Sequence, residues 1–233
     1  EWRERVDGLL GLTLPENGRR TSSEPAVELL TRIIQGSPQK VHLITLGPLT
    51  NVGEVLEAEP GLVMNLGMIT VMGGAVEVAG NVGSSSNIEN EAAEWNIYVD
   101  PRAAAEVFGS GAPITLVPLD ATNYAPLTME FYRRLERDRT TSVAEFVYRV
   151  LAAQEENLRS GWYYFWDPLA AAIATEEGLG TFREISLIVV EEEGAESGRT
   201  LESERGVIIR VAMTADRERF EALFLDAVNG RLP

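Results

Sequence analysis

Cysteine is absent from the 233 residues, which excludes a disulfide framework, a thiolate nucleophile and a thiolate metal site. Histidine occurs once, at His42 inside an apolar stretch, where a satisfied core imidazole is expected rather than a general base. Positive charge is scarce: 20 Lys and Arg stand against 36 Asp and Glu, a formal charge of −16, and the single lysine is Lys40. Such a surface repels phosphate backbones and anionic lipid, so neither nucleic acid nor membrane is an expected partner. A neutral or cationic ligand, or a metal ion, is easier to accommodate. No run approaches the roughly 18 apolar residues of a membrane helix, and the opening EWRERVDGLL lacks the layout of a secretory signal, so a cytoplasmic location is expected. The dinucleotide, P-loop, zincin and hydrolase-elbow fingerprints are absent too, and GNVGSSSN (80–87) has neither the spacing nor the lysine of a phosphate cradle.

What is present suits one globular domain over residues 1–233, with 45% hydrophobic and 24% charged residues and no linker rich enough to divide it. PAVELLTRIIQ (25–35) has helical spacing and is followed by Gly36 and Pro38. VHLITLG (41–47) then reads as a short buried strand. TNVGEVLEAEP (50–60) is helical, GMITVMGG (67–74) a strand, and DPRAAAEVFGSG opens a helix with Asp100 as cap and Pro101 at the first position. PITLVPLD (113–120) is the next strand. The succession predicts an α/β fold with an open, mostly parallel sheet and helices on both faces. Beyond Thr128 the pattern turns helical. ISLIVVEEE and GVIIRVAM then predict a C-terminal antiparallel pair across an ESGRTLESER linker, before a closing amphipathic helix in ADRERFEALFLDAVNG.

Ligands of open parallel sheets sit beyond the carboxyl ends of the strands. Three loops qualify and are expected to rise from one edge: GPLTN, the long stretch 73–96, and DATNY. The middle loop far exceeds the usual strand-to-helix connection of about 2 to 6 residues, the mark of a lid or binding loop. It carries an acid, Glu94, and two amides, Asn81 and Asn96, able to bond vicinal hydroxyls while an indole or thioether covers an apolar face. Plainer roles stand beside these. Glu94 and Asn96 fit capping and turn positions, Asn81 follows Gly80 as an ordinary turn pair, Met72 fits core filler and Trp166 packing. Asp167, before Pro168, fits a helix cap or a carboxylate facing a hard cation.

LITLGPLTNVGEVL, ITVMGGAVEVAGNV, AEWNIYVDPRAAAEVF, ITLVPLDAT and WDPLAAA, in this order and spacing, resemble the inosine-uridine preferring nucleoside hydrolases. The resemblance implies hydrolysis of the N-glycosidic bond of purine or pyrimidine ribonucleosides to ribose and free base, within nucleoside metabolism and purine salvage. It also implies a calcium ion at the carboxyl edge of the sheet, with Thr50 offering its carbonyl and Asp167 its carboxylate. Met72, Asn81, Glu94 and Asn96 would line the ribose pocket, with Trp166 beside the substrate. The implied partners are a small ribonucleoside and further copies of the chain, as a dimer or tetramer.

The family pattern also contains a strand ending in D-x-D-x-x-x-D-D, which supplies most metal carboxylates and the general base. No such segment occurs here, so half a metal site and no catalytic aspartate are expected of this chain. RVDGLLG (5–11) stands where the family often has a histidine–glycine stretch, and Trp166 where a histidine often precedes the DPLA aspartate. Two functions follow as alternatives: a nucleoside hydrolase whose catalytic aspartates lie outside this chain, or a catalytically inactive nucleoside- or sugar-binding scaffold of the same fold.

Overall fold

The computed structural model describes residues 8–13, 18–85 and 88–232; the first part of RVDGLLG and the last two residues of GNVGSSSN lie outside the described residues. Helix α1 (Ala26–Gly36) leads into β1 (Val41–Thr45), and α2 (Thr50–Ala58) into β2 (Leu66–Met72). Two abutting helices, α3 (Trp95–Val99) and α4 (Pro101–Gly109), then lead into β3 (Ile114–Val117). The predicted cap of α4 is formed: Asp100 Oδ1 accepts from the Ala103 N–H at 3.1 Å, with Pro101 at the first helical position. β3 is shorter than PITLVPLD suggests, because the chain turns at Pro118 into a one-turn helix, α5 (Leu119–Thr122). Helices α6 (Met129–Arg137), α7 (Ser142–Ala152), α8 (Glu155–Ser160) and α9 (Trp166–Thr175) follow. The chain closes with β4 (Gly180–Val189), β5 (Thr200–Glu202), β6 (Val207–Ala215) and α10 (Arg217–Val228).

The six strands form one sheet in the order β1-β2-β3-β6-β4-β5. β1, β2, β3 and β6 run parallel, while β4 is antiparallel to both β6 and β5. This is the expected open α/β sheet with its C-terminal antiparallel pair. The supposed linker ESGRTLESER contains a strand of its own, β5, too short to show an alternation. Sequence neighbours in the central strands go to opposite faces, as a pleated strand requires. Val71, Leu116 and Val211 join one core with Ile34, Val55 and Val107 of α1, α2 and α4. Met72, Val117 and Ala212 join the other with Phe131, Leu169 and Phe220 of α6, α9 and α10. Burial on both faces explains why β2 and β3 read as largely apolar runs, interrupted only by the buried Thr70 and Thr115 and by Gly67.

β1 corrects an expectation. Its Val41 and Leu43 pack on the α1–α2 layer, but His42 and Ile44, on the opposite face, are exposed. His42 is therefore a surface residue of the strand at one end of the sheet and not a core histidine. Among the described residues no helix is long and apolar enough to cross a membrane.

Candidate functional site

β1, β2 and β3 are parallel and adjacent, so their carboxyl ends share an edge, and a cavity of about 500 Å³ opens there. That volume lies within the roughly 300–1,000 Å³ of small-molecule sites. Met72, Asn81, Glu94, Asn96, Trp166 and Asp167, all singled out from sequence, line it together. Thr50 does not. It is the first residue of α2, and its hydroxyl donates to Asp100 Oδ2 at 2.6 Å, tying the start of α2 to that of α4. DATNY does not line the cavity either; its Asp120 accepts from the N–H groups of Val76 at 2.9 Å and Glu77 at 2.7 Å, bracing the middle loop from behind.

Glu94 is both the cap of α3 and a lining residue of the cavity. Its Oε1 accepts from the Asn96 N–H at 2.9 Å, and its Oε2 from Gly74 at 3.0 Å and Ile97 at 3.2 Å, which starts α3. Gly74 reaches this geometry with φ +87°, a backbone region that favours glycine. The carboxyl is only 2% exposed. Burial pushes its pKa up to about 7 against the pull of the three N–H groups, and the charge of Asp167 adds to the rise. A buried acid poised near neutrality responds strongly to positive charge arriving in the cavity.

The amides are held just as firmly. Asn81 Oδ1 accepts from the Trp95 N–H at 2.9 Å, which ties the first half of the loop to its far end. Asn96 Nδ2 donates to the Met72 carbonyl at 3.1 Å and contacts its Sδ at 3.4 Å, joining α3 to the end of β2. Asp167 is the second residue of α9, whose cap position is Phe165, so the capping role open to it from sequence is not the one it takes. It is half-buried, and burial raises its pKa above the usual carboxylate range.

Leu46, Asn157, Trp162 and Tyr163, which sequence reasoning missed, complete the wall together with Trp95, the indole of the AEWN stretch. Trp166 meets Trp162 edge-on at 6.0 Å and Tyr163 tilted at 5.9 Å, so it packs and lines the cavity together. The run WYYFW (162–166) was the available signal, a density of rings beyond what one short loop needs for its core. A larger, more open depression of about 770 Å³ flanks the same loop at Val76, Ile88 and Glu196. Its only arginine, Arg199, is taken up by Glu196, and it gathers no comparable set of converging polar groups.

The donor set does not amount to a calcium site. Among the described residues no three His, Cys, Asp or Glu side chains gather as a metal-holding group. Asp167 and a carbonyl of Thr50 would give two of the about 6 to 8 oxygens calcium takes.

The family model described as inosine-uridine preferring nucleoside hydrolase matches residues 4–222. A pyrimidine-specific ribonucleoside hydrolase RihA from Klebsiella pneumoniae is 38% identical over 143 residues, covering 60% of this chain and 43% of that protein. The RihA of Salmonella arizonae is 39% identical over the same length. The aligned part thus spans under half the length of these curated relatives. Among solved structures, the inosine-uridine preferring nucleoside hydrolase of Bacillus anthracis superposes with a TM-score of 0.81 at 26% identity, covering 98% of this chain and 71% of that one. The purine-preferring ribonucleoside hydrolase of Gardnerella vaginalis gives 0.80 at 29% identity, covering 97% and 72%.

Proposed function

The chain belongs to the inosine-uridine preferring nucleoside hydrolase family, and from that premise we propose that its cavity receives a ribonucleoside for hydrolysis of the N-glycosidic bond. One observation carries the reading: a buried carboxylate, two fixed amides and a second carboxylate share a single cavity with a cluster of aromatic rings. A nucleoside has the same two halves, a polyhydroxyl sugar and a flat base.

The chemistry follows from where charge develops. As the bond to the base stretches, the ribose takes on oxocarbenium character, and a preorganised negative dipole or carboxylate nearby lowers the barrier. Glu94, held by three backbone N–H groups, needs no rearrangement to serve; a cationic sugar beside it draws its proton equilibrium toward the ionised form. Asn81 and Asn96 orient the hydroxyls, and the Met72 thioether covers the sugar's apolar face. Trp162, Tyr163 and Trp166 offer ring faces to the departing base, with the Asn157 amide beside them. By the family resemblance calcium and aspartates would activate the attacking water; the described residues do not form that cage.

The test is release of free base from inosine and uridine, followed by ultraviolet absorbance, for the chain and its Asn96→Ala variant. Turnover that the variant loses supports the reading. Binding without turnover identifies a nucleoside-binding protein of this fold, and neither binding nor turnover with either nucleoside overturns the proposal.

A further inference from the structure

We infer that Thr200, on β5, is a positioning residue for this site: its hydroxyl clamps the Gly74–Ala75 backbone that holds the Glu94 carboxylate. The inference rests on Glu94 being a sugar contact. Thr200 is 125 residues away in sequence from Ala75 and only 1% exposed. Its Oγ1 donates to the Ala75 carbonyl at 2.7 Å and accepts from the Ala75 N–H at 2.9 Å, so one side chain satisfies both polar groups of that residue. The preceding residue, Gly74, donates the N–H that Glu94 Oε2 accepts at 3.0 Å. Holding the Ala75 N–H holds the Gly74–Ala75 peptide, whose Gly74 carbonyl also accepts from the Leu119 N–H at 2.8 Å, and so restrains the residue whose own N–H the carboxylate accepts.

Two contacts beside it point the same way. Asn90 Nδ2 donates to the Ser197 carbonyl at 2.8 Å. Gly198, at φ +81°, lies so close to α3 that an added Cβ would stand 2.6 Å from Tyr98 Cα. β5 and the connection before it thus touch the binding loop at Ala75 and Asn90 and α3 at Tyr98, around the acid that the loop presents. Thr200 itself pairs with Val189 of β4, so the clamp is anchored in the sheet. Valine has nearly the same shape and suits a strand, yet it would leave a buried N–H and a buried carbonyl unpaired. The hydroxyl, rather than the packing, is what the site uses.

The test compares Thr200→Val and Thr200→Ser in the full chain by site-resolved hydrogen exchange at Gly74, Ala75, Asn96 and Ile97, and by the uridine affinity read from tryptophan fluorescence. Thr200→Val is expected to speed exchange at these four amides and weaken uridine binding by about tenfold or more, while amides of β6 keep wild-type exchange. Thr200→Ser, which keeps the hydroxyl, is expected to restore both. If Thr200→Val does not fold, Thr200→Ala removes the same bonds without crowding and is read identically. Wild-type exchange at Gly74 and Ala75 in the hydroxyl-free variant, or an affinity loss that serine leaves unrepaired, overturns the inference. A wild-type chain that binds no nucleoside would instead overturn the proposed function, and the exchange comparison alone would then decide the clamp.

Discussion

Replacing Glu94 with Gln is expected to change stability in a way that depends on pH. In the folded chain burial holds this carboxyl at about 7, against an ordinary value of 4.5 in the unfolded chain. Between those values the folded state keeps a proton that the unfolded state has released. Glu94 therefore favours folding fully below pH 4.5 and loses that advantage as pH rises through the folded value. The gap corresponds to about 3 kcal/mol. Glutamine has no such dependence, but its amide nitrogen must face either the Asn96 N–H or those of Gly74 and Ile97. One buried donor left without an acceptor costs about 1–3 kcal/mol at every pH. Urea denaturation at about pH 4.5 and pH 8 should thus find Glu94→Gln less stable than wild type in acid and level with it or better at the higher pH, a relative swing of about 3 kcal/mol. A stability difference that stays constant across this range would refute the argument, because it would mean that Glu94 titrates alike in both states.

Asn96→Ala is expected to lower kcat/KM for base release, or affinity where no turnover occurs, by about 10- to 1000-fold, since it removes the bond to the Met72 carbonyl together with the proposed hydroxyl contact; steady-state kinetics checks it. Trp166→Ala should weaken nucleoside binding by about 1–3 kcal/mol while leaving the weak binding of free ribose unchanged, as fluorescence titration of the two ligands would report. His42→Ala should alter neither stability beyond about 0.5 kcal/mol nor ligand affinity, because the ring is exposed on β1; thermal melts and the same titration test it.

The fold was largely legible because its signals are local and repeated. Asp100–Pro101 marks a helix start by capping chemistry alone, and β2 and β3 read as buried strands because both faces meet a core. Burial on β1 was not legible: VHLIT is apolar enough to suggest a core strand, and only the tertiary fold decides that the face of Val41 and Leu43 is covered while His42 and Ile44 are exposed. β5 was hidden for a similar reason, being three residues whose role comes from Thr200 reaching back to Ala75. At the cavity, topology and the long loop drew attention to Asn81, Glu94 and Asn96, and the family resemblance, with its W-D-P-L-A run, added Met72, Trp166 and Asp167. Asn157, Trp162 and Tyr163 enter the wall from the α8–α9 segment, and only the tertiary fold brings that segment over the loop. Thr50, placed by resemblance through its carbonyl, lies outside the cavity wall, and its hydroxyl is tied to Asp100, a pairing between residues 50 apart that spacing cannot reveal.

The central claim is that the polar half of the cavity reads ribose hydroxyls. Trp95, Trp162 and Trp166 all line it, so the decisive measurement is a fluorescence titration of the chain with uridine and with 2′,3′-dideoxyuridine, which share the base and differ only in those hydroxyls. The account predicts saturable quenching by uridine and an affinity for the dideoxy compound lower by about tenfold or more. Equal affinities, or no response to uridine, would contradict it.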